Sequence, residues 1–344
     1  MATPIGTNEI NSISRRYIMP TLVDNIYQSN VMFFRLNARN KKILQGGLQI
    51  EVPLVYTQFV NGGAYQGFDI LDVTPNDTVK NGAWDWKQAY VPVTVDGLSL
   101  IRADSPEAIV NFLSFYFENA QTELADILGK GVWSTGTNTK QIDGIDLAVD
   151  DGNHGFSGGA AGTFSTTNGA TYGGLSRTSN TWWRGQILLN PVANPGALAL
   201  TTMQTAFGNA TMGARHPTII VTDQTRYNSY WGLPQASQAF PVQPSAADEI
   251  LAQAGFTNLL FNNVPIVVDP HLPGAGNTGT ANGAGAFYFL NEDYMYLYVN
   301  PRADFSMKDF REPINQDAMT SLILWAGNLV FTNCVRQLKL FAVN

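Results

Sequence analysis

The stretch from Ser105 to Leu128 sets the scale of anything this chain can fold into. Ile109, Phe112, Leu113, Tyr116, Phe117, Ala120, Leu124, Ile127 and Leu128 recur at three- and four-residue steps, while Asn111, Glu118, Asn119, Gln121 and Glu123 fall on the other side. Asp104 or Ser105 supplies an N-cap and Pro106 suits the first helical turn. Gly129 and Gly131 read as the stop. About 24 residues at 1.5 Å each make a rod of about 36 Å. A rod of that length must be covered along its apolar stripe by a sheet or other helices, and the aromatic residues in the stripe read as core rather than as a ligand groove.

The chain before the helix changes period. Leu48, Ile50, Val52, Leu54 and Tyr56 share one face of a strand, with Gln49, Glu51 and Thr57 on the other. A second alternating run carries Val91, Val93 and Val95 between Tyr90 and Arg102. The two runs bracket an excursion of roughly thirty residues, with turn signals at Asn61-Gly62-Gly63 and Asn81-Gly82. Pro53 and Pro92 sit inside the runs, where a missing N–H is tolerated only on a sheet edge. This pattern predicts a long two-stranded arm projecting from the body. A ribbon alone buries too little apolar surface to be stable, so the arm should lie on a neighbour. The competing reading is an ordinary hairpin of a compact β domain. Residues 1 to about 45 show no sustained period; a helix around Leu22 to Ser29 fits, and the rest reads as an extended arm ordered by packing on something else.

The C-terminal half reads as mixed α/β. Ala197 to Met212 and Asp223 to Trp231 are predicted helices, the latter capped by Asp223. Thr218 to Val221, Pro265 to Val268, Phe287 to Leu290 and Met295 to Val299 are predicted strands. Thr320 to Leu329 and Val335 to Val343 alternate and are very apolar, as strands buried against the body would be.

Charge narrows the function. Charged residues make up only 14% of the 344, against 44% hydrophobic, so much of the surface must be neutral polar or contact other chains. With 20 Lys and Arg against 27 Asp and Glu the net charge is −7, and no basic block appears, which argues against a sequence-reading nucleic-acid binder. Cys334 is the sole cysteine and excludes an intrachain disulfide or a CxxC site; it reads as a small buried apolar side chain in a hydrophobic strand. Met1 to Arg16 lacks the apolar core of a signal peptide, and no run of about eighteen apolar residues suggests a membrane span, so the expectation is a protein made and kept in the cytosol or in something assembled there.

No catalytic constellation competes. His154, His216 and His271 stand in turn-like contexts without ligand spacing, and HExxH and GxSxG are absent. Gly274-Ala275-Gly276-Asn277-Thr278-Gly279 matches GxGxxG, but the residues after it lead into a strand, so it reads as a hairpin loop without an anion-binding helix N-terminus. Asp150-Asp151, Asp248-Glu249 and Glu292-Asp293 are adjacent in sequence, and neighbours on a loop usually diverge. No enzyme activity, metal or cofactor is expected.

A polar segment after the long helix holds Ile142-Asp143-Gly144-Ile145-Asp146, a run of Gly, Ser, Thr and Ala, then Tyr172-Gly173-Gly174 and Trp182-Trp183-Arg184. Further on come Asn263-Val264-Pro265-Ile266-Val267-Val268-Asp269-Pro270, Phe289-Leu290-Asn291, Trp325-Ala326-Gly327-Asn328-Leu329 and Arg336 to Leu338. In this order, over nearly the whole chain, the phrases resemble the major capsid proteins of tailed bacteriophages. The resemblance implies an α+β, Hong Kong 97-like capsid fold. Its parts would be an N-terminal arm (1–45), an extended β-hairpin loop with flanking strands (46–103), a peripheral domain with a spine helix (104–184), a mainly axial domain (185–318), and C-terminal peripheral strands (319–344). It further implies a shell subunit that forms hexamers and pentamers around double-stranded DNA in a virion assembled in the host cytoplasm. A portal, a separate scaffolding protein and a decoration protein would be partners; the start at Met1, close to the arm, favours separate scaffolding.

Phe59, Tyr65, Phe68, Trp84 and Trp86 are then candidates for contacts between subunits, since an isolated ribbon has nowhere else to bury them. Trp183 and Arg184 are candidates for a structural hinge into the axial domain. No motif for a Lys–Asn crosslink matches and none is expected; Lys80, near the arm tip, is no more than a candidate. An encapsulin-like cellular shell is the alternative that shares the fold.

Overall fold

The computed structural model describes residues 30–58, 61–97, 106–136, 138–151, 170–190, 197–235, 259–272, 285–312 and 318–343. In chain order they form α1 (Val31–Arg39), β1 (Lys41–Ile43), β2 (Gln49–Val55), β3 (Val79–Asp85), β4 (Lys87–Asp96), α2 (Pro106–Val132), α3 (Ile145–Ala148), β5 (Thr171–Tyr172), β6 (Leu175–Ser176) and β7 (Gln186–Leu189). There follow α4 (Leu200–Ala210), β8 (Ile219–Thr222), α5 (Gln224–Gln235), β9 (Leu259–Phe261), β10 (Val264–Val268), β11 (Gly285–Leu290), β12 (Met295–Val299), β13 (Ser306–Met307), β14 (Ala318–Phe331) and β15 (Leu338–Val343). The expected helix at Leu22 to Ser29, the cap at Asp104 or Ser105, the GxGxxG stretch and Asp248-Glu249 lie outside the described residues.

Two sheets organise this α+β fold. In the five-stranded sheet β14 is the axis: β4 pairs with it antiparallel from Ala318↔Asp96 to Gly327↔Lys87, and β12 and β13 take its other edge. β1 adds parallel to β12. Val91, Val93 and Val95 of β4 point into the core, and α2 packs against that strand. The six-stranded sheet runs β7-β15-β11-β8-β10-β9. Both its faces are covered, which is why β11 is apolar and buried at every position. Ile219, Val221 and Tyr288 point to the core shared with α2, while Ile220, Phe287 and Phe289 point to a second core under Met203 and Ala206 of α4. Asp223 caps α5 as expected, accepting the Arg226 N–H at 2.8 Å. Pro53 and Pro92 both stand on strands with a single partner, as their missing donors require.

Several expectations are corrected. Residues 31–39 are a helix rather than part of an extended arm. Val31, Met32, Phe33 and Leu36 are buried because α1 is held between α2 and β12, and a helix covered on more than one side shows no single-sided period. The strand paired with β2 is not the run around Val91 but β3, in register from Gln49↔Asp85 to Val55↔Val79. The Val91 run belongs to the body sheet instead. Gly129 and Gly131 do not end the long helix, which continues to Val132. Gly129 is there for close approach: a Cβ at that position would lie 2.7 Å from His271 Nδ1.

The C-terminal strands also part company. β14 stays in the five-stranded sheet, while β15 leaves the expected peripheral grouping and inserts between β7 and β11. Conversely β12 and β13, inside the 185–318 stretch, join β14. The chain switches sheets twice at one place, between β11 and β12 and between β14 and β15. Asn291 and Gln337 lock that crossing, the Asn291 N–H donating to Gln337 Oε1 at 2.8 Å and Gln337 Nε2 to the Asn291 carbonyl at 3.0 Å. Cys334 accordingly lies in the bend before β15 rather than in a strand; it is buried as expected.

Candidate assembly surface

β2 and β3 leave the body as a two-stranded arm, and residues 56–58 and 61–78 belong to its tip. The tip is closed at its neck, where Tyr56 N–H donates to Thr78 O at 3.1 Å and Asn61 Nδ2 to Thr74 O at 2.8 Å. Beyond the neck the chain turns apolar side chains into solvent. Tyr65 is 67% exposed, Val73 88% and Leu71 55%, and Phe68 and Ile70 are fully exposed. Five large apolar groups exposed within nine residues are a concentration of the kind that marks a protein contact.

The root of the arm is packed into the body. Trp84 of β3 is 2% exposed, with its ring edge-on to Tyr172 at 5.7 Å and Trp183 at 6.5 Å. The Tyr172-Gly173-Gly174 phrase makes this seat. Gly173 and Gly174 both have positive φ, +57° and +72°, the geometry of a tight two-residue hairpin turn between β5 and β6. A Cβ on Gly173 would lie 2.5 Å from the Trp84 ring. The Gly173 carbonyl accepts the Ala83 N–H at 2.9 Å. Farther out, Tyr56 stacks on Trp182 at 5.4 Å, and Lys80 Nζ donates to Asn180 Oδ1 at 2.7 Å while lying over the Tyr56 ring.

The five contact candidates therefore separate. Tyr65 and Phe68 stand in solvent at the tip. Trp84 is corrected: it packs into its own chain's core, because residues 171–183 supply a partner surface that the local sequence around β3 does not show. Trp86 is half-buried at the root, its Nε1 donating to Gly47 O at 3.1 Å. Phe59 lies outside the described residues. Ile70, Leu71 and Val73 were missed; the run Phe68 to Val73, apolar without a period inside an excursion read as exposed, carried their signal. Trp183 and Arg184 stand where the chain passes into β7: Trp183 Nε1 donates to Tyr172 O at 2.9 Å and Arg184 Nε to Arg177 O at 2.9 Å.

No protein-family model matches the sequence, and no curated protein matches it either. Solved structures do. A chain of the cyanophage A-1(L) capsid asymmetric unit, 15% identical, superposes with a TM-score of 0.59 over 90% of this chain and 92% of that one. The capsid of a native GTA particle, 12% identical, gives 0.59 over 90% of each chain. The fold is that of a phage capsid subunit. The holo-SrpI encapsulin complex of Synechococcus elongatus PCC 7942 shares it, at 10% identity and a TM-score of 0.55 over 90% of this chain and 87% of that one.

Within this capsid fold the titratable groups hold elements together. Glu292 is buried against Arg35, with Arg35 Nε and a terminal guanidinium nitrogen each 2.6 Å from a carboxylate oxygen, and Arg39 adds a third contact at 2.9 Å. Burial pushes the Glu292 carboxyl up, but the hydrogen bonds and charge of Arg35, then Arg39, outweigh it and hold the group below its usual range. Its neighbour Asp293 turns outward to Arg215, so this adjacent pair diverges as expected. Asp146 accepts from Tyr288 at 2.6 Å and from Lys339 at 2.8 Å, tying α3 to β11 and β15. Arg177 donates to the carbonyls of Leu147 and Ala148 at the end of α3, a favourable place for a cation. Burial pushes the Cys334 thiol up to about 12. His216 stacks on Phe207 at a turn, and His154 lies outside the described residues. Among the described residues no cluster of three or more His, Cys, Asp or Glu could hold a metal ion, and no helix is long and apolar enough to cross a membrane.

Proposed function

We propose that the chain is the major capsid protein of a tailed double-stranded DNA bacteriophage, a non-enzymatic subunit of an icosahedral shell. The observation that carries this is the arm: a ribbon seated through buried Trp84, with an apolar tip that no described residue of its own chain covers. In a shell, a neighbouring subunit would cover Tyr65, Phe68 and Ile70, and each subunit would clasp the next. The likeness in fold to phage capsids over nine-tenths of the chain supports the same reading. α1 and the residues before it then correspond to the N-terminal arm, the β2–β3 ribbon to the extended loop, α2 and the five-stranded sheet to the peripheral domain, and the six-stranded sheet to the axial domain. Trp183 and Arg184 mark the passage between these two domains. Scaffolding, portal and decoration proteins would be partners, and an acidic subunit suits a wall that packages DNA without gripping it. Its place is the virion, after assembly in the host cytoplasm.

The shared fold with an encapsulin favours one second reading, a cellular shell around a cargo protein. Sedimentation of the chain, expressed alone and with its neighbouring genes, tests both. Large particles or capsomer rings that take up DNA with phage packaging genes support the phage reading, and closed shells that retain a co-expressed enzyme support the cellular one. A small species under every condition contradicts both.

A further inference from the structure

His271 follows β10 on a short loop and lies against α2 at Gly129. Each ring nitrogen lies within ion-pair distance of a carboxylate, Nε2 3.3 Å from Asp126 Oδ1 on α2 and buried Nδ1 3.4 Å from Asp269 Oδ1 on the loop, with Nδ1 making no aligned hydrogen bond. Asp269 is buried and held in place, whereas Asp126 is half-exposed. Asp269 accepts the His271 backbone N–H at 2.9 Å and Trp133 Nε1 at 3.0 Å, and Asp126 pairs with Lys130 one turn along the helix. Neutral Asn30, just before α1, also approaches Gly129 and donates to the Ala125 carbonyl of α2 at 2.8 Å.

A neutral imidazole has one N–H and one lone pair, so either tautomer would set a lone pair against a carboxylate oxygen here. Only the imidazolium presents an N–H to both. The surroundings act in the same direction: hydrogen bonding to Asp269, opposed by burial and reinforced by the charges of Asp269 and Asp126, raises the ring above its ordinary value of 6.5.

We propose that His271 is a proton-operated latch between the long helix α2 and the six-stranded sheet, tightened while the ring is charged and loosened by deprotonation, beside the proton-independent hydrogen bond from Trp133 to Asp269. Asp269 belongs to the sheet, its N–H bonding to Thr222 O at the end of β8 at 3.0 Å, whereas Asp126 and Gly129 belong to the helix that supports the five-stranded sheet. The charged ring thus adds one pH-dependent tie to those that already join the two sheets. The latch stands on this geometry whether or not the chain builds a shell. Because the folded-state value is raised, the latch contributes its full stability below about pH 6.5 and loses it as pH rises through the folded-state value.

The test measures the titration of each histidine in the full chain from exchange of its ring Cε1 hydrogen, followed by mass spectrometry, together with melting temperature between pH 5.5 and 8.5. The expected result is a His271 midpoint above 6.5, lowered in Asp126→Asn, and a fall in melting temperature with rising pH that is absent from His271→Gln. A His271 midpoint at or below 6.5 in the folded protein, or parallel melting profiles for the wild type and His271→Gln, overturns the latch. Should His271→Gln fail to fold, Asp126→Asn decides alone, since its carboxylate is half-exposed: an unchanged His271 midpoint in that variant also overturns it.

Discussion

Asn328, buried on β14, makes four hydrogen bonds through its side chain, two of them to Asp143. Its Nδ2 donates to Asp143 Oδ2 at 2.8 Å and to the Asp85 carbonyl at 2.9 Å, and its Oδ1 accepts the backbone N–H groups of Asp143 and Leu329, each at 2.9 Å. One side chain on β14 therefore joins the loop before α3 to the end of β3, the root of the arm. Asn328→Ala leaves these groups buried without partners, at a cost of about 1–3 kcal/mol for each that water cannot reach. A lowered midpoint in urea with an unchanged slope checks this, and a midpoint equal to wild type contradicts it.

Gly173→Ala should unseat the arm. The substitution forces a side chain into a left-handed position, costing about 1–3 kcal/mol, and sets its Cβ against the Trp84 ring. The expected outcome is a lower melting temperature with altered tryptophan fluorescence.

The apolar tip should behave in the opposite way. Phe68→Ser, Ile70→Ser and Val73→Ser together replace groups that stand exposed among the described residues, so each should change subunit stability by no more than about 0.5 kcal/mol. Assembly should be lost all the same. Calorimetry and sedimentation of the same sample separate the two effects.

Glu292→Gln leaves Arg35 buried without its counter-charge, which should cost about 3–5 kcal/mol at neutral pH. The Glu292 carboxyl is held low in the folded state, so its contribution is present above its unfolded value near 4.5 and is lost as pH falls through the lower folded value. Wild-type stability should fall below about pH 4.5 more steeply than that of the variant, which acid titration followed by circular dichroism reads directly.

Cys334 should be inert. A buried thiol pushed up to about 12 has almost no thiolate at pH 8, so a thiol reagent should label it only on unfolding.

Much of this fold is legible in sequence where one face of an element meets the core. β2, β4 and the long helix show their periods because each has an exposed side. α1 is hidden for the converse reason, since Val31, Met32 and Phe33 are consecutive and all buried. Which sheet a strand joins is set by the crossing at Asn291 and Gln337, residues far apart in the chain that no local pattern connects. The arm is readable as a projection, and Tyr65 and Phe68 as its exposed residues. Trp84 is not, because its seat is built by Tyr172, Gly173 and Trp183, far along the sequence.

The central claim is that the tip of the arm is finished by another subunit, and electron cryomicroscopy of the particles formed by the full chain tests it most directly. The account predicts closed shells in which residues 61–75 lie on an adjacent subunit, with Phe68 and Ile70 covered. A monodisperse small globule, or a shell in which the tip folds back onto its own chain, would contradict it.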